Sequence, residues 1–300
     1  MPHRIALTDA GWSSSVARWA HNPEVVGSNP APATNRGSNT SRRWLFQMKI
    51  WEGHSLFSTL VSPQIRPAIS GYALHVMTAS GAAAGLLALQ AVIDNNVRAA
   101  LLWLLACQVL DGLDGPIARK IDVVFNAPRV DGNVLDLIVD YLTCVVVPVA
   151  LMIRLNMLPS EFQTLIAATV LLLSALWFAR TDIETEDHWF NGFPAVWNLA
   201  VPTFLIFDIS QRTTAIVTIL LAVSQLTNIK FPHLVRVVRW RHITLPFGVL
   251  YTLTLFILSW NYSNTDGIEA SMLAHIIMLA FPIYIGVISL VRTFTGSEEN

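Results

Sequence analysis

From residue 73 to the C-terminus, apolar stretches alternate with short polar connections. The alternation predicts eight helices, at about 73–93, 98–118, 134–154, 163–180, 193–208, 213–227, 243–260 and 270–292. A membrane crossing takes roughly 20 apolar residues at 1.5 Å per residue. The fifth and sixth segments fall short of that, so their limits are the weakest of the set. No internal repeat and no second domain is visible, and the expected fold is all-α and polytopic, with about eight transmembrane helices. The first 47 residues break the pattern: they are rich in Ser, Asn, Pro and Arg and hold no apolar run. Gly27-Ser28-Asn29-Pro30 and Ala31-Pro32-Ala33-Thr34 resemble a transfer RNA gene read as protein. The expectation is a true start at Met48, with residues 48–300 as the membrane domain; the plainer reading is a disordered tail.

Composition agrees with a membrane protein. Of the 300 residues 53% are hydrophobic and 13% charged, against about 25% charged in soluble domains, and mean hydropathy is +0.52. A net charge of −1 gives no sign of a nucleic-acid partner. Cys107 and Cys144 fall inside expected spans, where a free thiol acts as a small hydrophobe. Lys and Arg set the orientation. If the N-terminus is inside, 16 basic residues lie on the inner side and only Arg98, Arg154 and Arg212 outside. Without the first 47 residues the ratio is still 11 to 3. Both termini are therefore expected in the cytoplasm.

Four carboxylates interrupt the apolar pattern: Asp111 and Asp114 at the inner end of the second segment, and Asp136 and Asp140 at the inner start of the third. One carboxylate at the centre of a membrane helix costs roughly 2.5–3.5 kcal/mol, so four in one place call for an offsetting cation, substrate or water-filled cavity. At i,i+3 and i,i+4 spacing each pair projects from one helix face. Two such faces brought together form an oxygen-rich site for hard divalent cations. On one helix face Asp111 and Asp114 are followed by Gly115 and Ala118; Gly132, Asp136 and Asp140 share another. Small residues leave room for a ligand, and Arg119 carries a planar fork suited to phosphate. Together they describe a diphosphate site.

The stretch Asp111-Gly112-Leu113-Asp114-Gly115-Pro116-Ile117-Ala118-Arg119, then twelve residues, then Gly132-Asn133-Val134-Leu135-Asp136-Leu137-Ile138-Val139-Asp140, resembles the CDP-alcohol phosphotransferase signature D-x-x-D-G-x-x-A-R…G-x-x-x-D-x-x-x-D at every lettered position. The connection between its halves is longer than usual for the family. That length, with His75-Val76-Met77-Thr78-Ala79-Ser80-Gly81, the run Phe190 to Asn198 and the run Phe231 to Arg239, is similar to the bacterial phosphatidylcholine synthase branch. The resemblance covers about residues 65–292. It implies an inner-membrane enzyme that takes CDP-diacylglycerol and choline to phosphatidylcholine and CMP. It implies two Mn²⁺ or Mg²⁺ ions on Asp111, Asp114, Asp136 and Asp140, with Asp140 as general base. Gly112, Gly115, Ala118, Arg119 and Gly132 would accommodate the nucleotide and diphosphate. A homodimer is compatible with the sequence, which does not set the oligomeric state.

Choline has no N–H, so an aromatic wall or a carboxylate must hold it. Trp189 and Trp197 flank the Phe190–Pro194 stretch beside Glu184, Glu186 and Asp187, and that neighbourhood is the expected choline site. The plainer reading makes both tryptophans interface anchors. His75 and His233 read as solvated or hydrogen-bonded polar residues, Arg236, Arg239 and Arg241 as inner-leaflet determinants, and Asn198 and Gln225 as polar glue between helices. Asp94 and Asp266 read as outer-loop residues. Other readings compete: the same chemistry with serine, glycerol phosphate or inositol phosphate as acceptor, a membrane prenyltransferase, or a cation transporter. The Ala118-Arg119 pair and the clustering of all four carboxylates at one leaflet argue against the last two.

Overall fold

The computed structural model describes residues 65–263 and 267–296. The expected start at Met48 and Asp266 lie outside them. The helices are α1 (Ile65–Ile93), α2 (Val97–Ile121), a single turn α3 (Val123–Asn126), α4 (Gly132–Asp140), α5 (Val147–Arg154), α6 (Gln163–Phe178), α7 (Trp197–Ile206), α8 (Gln211–Ser224), α9 (Arg241–Trp260) and α10 (Met272–Thr295). A π turn, Tyr141–Val146, joins α4 to α5 in one rod. All eight apolar segments are helical. Among the described residues five helices are long and apolar enough to cross a membrane: α1, α2, the α4–α5 rod, α9 and α10. Helices α6, α7 and α8 have 16, 10 and 14 residues, about 24, 15 and 21 Å against a hydrocarbon core of roughly 30 Å.

Helix α7 starts four residues later than the apolar pattern predicts. Pro194 disfavours helical dihedrals at Phe193, and Ala195 sits at φ +56°. Helix α2 begins where the Asn96 side chain accepts from Ala99 N, and ends on Asp122 in the left-handed region at φ 50°. The connection to α4 is the twelve-residue stretch of the motif. It winds through α3 and seats the fully buried Ala127 against Gly71 of α1. Asp131 then opens α4 by accepting from Asn133 N and Val134 N.

One stripe of α1, Gly71, His75, Thr78, Gly81 and Gly85, repeats at helical spacing; Gly71, His75, Gly81 and Gly85 meet the connection and the rod, and Thr78 meets Asp114 of α2. A Cβ on Gly81 would lie 2.7 Å from Val139 Cγ1, and one on Gly85 3.0 Å from Thr143 Cγ2. Small residues at such spacing allow close backbone approach in a bilayer. The main core lies towards the other end of α2. There Val97, Leu101 and Leu104 pack with Val147, Leu151 and Met152 of α5, Val170 of α6 and Trp197 of α7. A second cluster joins Leu105 to Tyr251, Leu255, Met278 and Phe281 of α9 and α10. Large apolar side chains such as Val76, Leu165, Leu220 and Leu273 stay exposed, the outer surface expected against lipid.

Two stretches far apart in sequence meet as an antiparallel ladder, β1 (Trp189–Asn191) on β2 (Lys230–Pro232), with Phe190 opposite Phe231. Around it lies a polar cap. Arg180 donates to the carbonyls of Gln225 and Thr227 and to Asp182. Glu184 takes His188 and Arg236, and Asp187 takes Arg292. Gly192, at φ +84°, donates to Ile229 O. His233 stacks on Phe190 at 5.4 Å.

Two outcomes follow. A Cβ on Gly192 would collide with the Gln225 backbone carbonyl, and the positive φ adds strain. Gly192→Ala should cost ~2–4 kcal/mol, read as a lower thermal midpoint in detergent. Burial, with Arg236 nearby, pushes the His233 imidazole down from 6.5 to about 4. The unfolded chain takes up a proton below 6.5 and the folded one only near 4. The contribution is therefore complete above 6.5 and is lost as pH falls towards 4, on the order of 2 kcal/mol. Thermal midpoints at pH 7 and 4.5 should differ less in His233→Phe, which keeps the stacked ring.

Candidate active site

Asp111 and Asp114 lie in the last three turns of α2, one turn apart, and Asp136 lies one turn into α4. Packing of α1 against both brings the three together: one oxygen from each of Asp111, Asp114 and Asp136 lies within 4.8 Å of the others. Asp140, one turn further along, stands outside that group but lines the same cleft with Thr78 and Gly81 of α1. The π turn starts directly after Asp140; such turns shift the helical register.

The carboxylates are held by neutral donors. Thr78 Oγ1 donates to Asp114 Oδ2 at 2.7 Å, and Asp114 is 8% exposed. Gln108 Nε2 donates to Asp111 Oδ2 at 3.4 Å, and Asn198 Nδ2 donates to Gln108 Oε1 at 2.6 Å. Among the described residues no salt bridge reaches any of the four aspartates; the ion pairs lie in the polar cap. A half-buried acidic cluster without a cation of its own is costly. Its donor set is all oxygen, which fits a hard divalent ion such as Mg²⁺ or Mn²⁺ and not a soft one.

Space beside the carboxylates is open. A Cβ on Gly112 would meet nothing within 4 Å, and one on Gly115 only Arg119 Nη1 at 3.4 Å. Ala118 is half-buried and Arg119 exposed on the same stretch. Pro116 has no N–H, so the Gly112 carbonyl lacks its i+4 donor. Gly132 is different: a Cβ there would lie 3.2 Å from His75 Cε1, so it admits α1. His75 is neither solvated nor fully bonded, being 7% exposed with Nε2 unpartnered.

The tryptophans do not join this cleft. Trp197 is fully buried in the main core, its indole N–H donating to Ser174 Oγ at 3.0 Å. Trp189 is 3% exposed, in a separate cluster with Val237 and Ile288. The Arg292 guanidinium already lies 5.9 Å from its ring centroid. A ring packed on both faces offers no wall to a second cation, so the expected choline site on Trp189 and Trp197 is corrected: both residues pack the fold. Gln225 acts as glue, bonding Ser174, and Asn198 reaches Gln108 of α2. Thr78 and Gln108 carried no assignment from sequence, although Thr78 stands in the singled-out run from His75 to Gly81. Its only signal was its place on the α1 stripe.

Residues 74–229 match the CDP-alcohol phosphatidyltransferase family over slightly more than half of the chain, and the chain belongs to that family. It is similar to the phosphatidylcholine synthase of Pseudomonas aeruginosa, 40% identical over 55% of this chain and 70% of the relative. The phosphatidylcholine synthase of Bradyrhizobium diazoefficiens is 34% identical over 72% of this chain and 82% of its own length. That of Borreliella burgdorferi is 29% identical over 75% and 95%.

Thr78→Val keeps the shape and removes the donor to Asp114. A hydrogen bond to a charged group contributes roughly 1.5–3 kcal/mol, so kcat/KM for phosphatidyl transfer should fall at least about tenfold, with the thermal midpoint little changed.

Proposed function

We propose that this chain is a phosphatidylcholine synthase, moving the phosphatidyl group of CDP-diacylglycerol to choline and releasing CMP. The observation that carries this reading is the carboxylate cluster of Asp111, Asp114 and Asp136, three oxygens within 4.8 Å and, among the described residues, no salt bridge to a protein cation, in a chain similar to proteins named phosphatidylcholine synthase. Asp111, Asp114, Asp136 and Asp140 would hold Mn²⁺ or Mg²⁺, which neutralises diphosphate charge when bound. Gly112 and Gly115 leave the backbone of α2 open to the diphosphate, Ala118 extends that space, and the Arg119 fork reaches phosphate oxygens. Gly132 lets α1 close the other side.

Asp140, apart from the tight group, takes the hydroxyl proton of choline. The choline oxygen then forms a bond to the lipid-side phosphorus as the bridging P–O bond breaks, and CMP leaves with that oxygen. The acyl chains remain in the bilayer beside the exposed Leu113 and Ile117 of α2. The excess of Lys and Arg on one side puts this cleft at the cytoplasmic leaflet of the inner membrane, with both termini in the cytoplasm.

Purified protein in nanodiscs should convert CDP-diacylglycerol with Mn²⁺ into phosphatidylcholine from a panel of labelled choline, serine, glycerol phosphate and inositol phosphate. Product from another alcohol in preference to choline would overturn the acceptor assignment. Asp140→Asn should lower kcat by roughly 10²–10⁴-fold while KM for CDP-diacylglycerol stays nearly constant.

A further inference from the structure

Gln108 precedes Asp111 by one turn of α2, and its amide spans the gap between that carboxylate and Asn198, the second residue of α7. The polarity of this chain of bonds is set at one end. A carboxylate that binds a cation is ionised and only accepts, and Gln108 turns its NH₂ towards Asp111 and its carbonyl towards Asn198. Asn198 must then donate. Its own Oδ1 is left buried without a partner, in a residue only 3% exposed.

Orphaned buried acceptors are rare in native interiors. Turning both amides over would give Asn198 Oδ1 a donor from Gln108 Nε2. It would also set the Gln108 carbonyl against Asp111, acceptor against acceptor, beside a cluster that is already anionic. The exchange would only move the orphan, leaving Asn198 Nδ2 in the partnerless place, so the two arrangements differ chiefly in what faces Asp111. The observed polarity is the one that serves the carboxylate.

We propose that Gln108 and Asn198 are positioning residues for Asp111. Asn198 locks the Gln108 amide, and Gln108 fixes the Asp111 rotamer so that the carboxylate meets a divalent cation preorganised. Thr78 does the same for Asp114 by a direct bond. Partners of this kind typically change metal affinity 10–100-fold. The inference rests on the reading of the cluster as a divalent-cation site.

The test is Mn²⁺ binding to the full chain in nanodiscs, without substrates, followed by the EPR signal of free Mn²⁺. Gln108→Met keeps length and loses both bonds; its Mn²⁺ Kd should rise about tenfold or more. Asn198→Asp, which accepts from Gln108 Nε2 and turns the Gln108 carbonyl onto Asp111, should shift Kd in the same direction and decides the matter if Gln108→Met does not fold. A lower thermal midpoint with Kd within twofold of wild type in the folded variant identifies plain helix glue and overturns the positioning role alone. If wild type binds no Mn²⁺, or binds it equally well as Asp111→Asn, the cation reading falls and this inference with it.

Discussion

Carboxylates from two helices share one pocket of oxygen, and among the described residues no salt bridge balances them. Asp111, Asp114 and Asp136 come within 4.8 Å, close enough for strong mutual repulsion in a partly desolvated site. Such an arrangement persists only if packing elsewhere holds the helices in place. The main core, centred on Leu101, Leu104, Leu151 and Met152, does so from the opposite end of α2. Stability and chemistry are thus separated along one helix, apolar burial at its start and uncompensated charge at its end.

Helix α1 is the second part of this division. Gly71, Gly81 and Gly85 on its stripe carry no side chain, so its backbone lies against Ala127, Val139 and Thr143. That closeness lets a short side chain, Thr78, reach Asp114. The donors around the carboxylates are hydroxyl and amide groups. Neutral donors orient a carboxylate without cancelling the charge that attracts a cation, whereas an arginine in their place would occupy the site itself.

The polar cap has a different task. Residues 180–192, the β1–β2 ladder and the end of α10 are tied by Arg180, Glu184 and Asp187, with Lys230 held by Asn191. The short helices α7 and α8 run between the two strands. The ladder thereby brackets α7, whose Asn198 reaches across to Gln108. Trp189 and Trp197 belong to this packing, which is why neither ring is free for a ligand.

The sequence by itself determined the helical segments, because a bilayer rewards long apolar runs with internally satisfied backbones. It also determined the acidic faces of α2 and α4, because spacing along a helix decides which side chains share a face. The glycines and Arg119 beside them were legible for the same reason. What only the tertiary structure decided was partnership across helices. Thr78 on Asp114, Gln108 between Asp111 and Asn198, and the pairing of Phe190 with Phe231 join residues 36, 90 and 41 positions apart, and periodicity carries no information over such distances. Burial of Trp189 and Trp197 was hidden likewise: an aromatic residue near an apparent interface reads identically whether its faces meet substrate or core, and packing alone makes that choice.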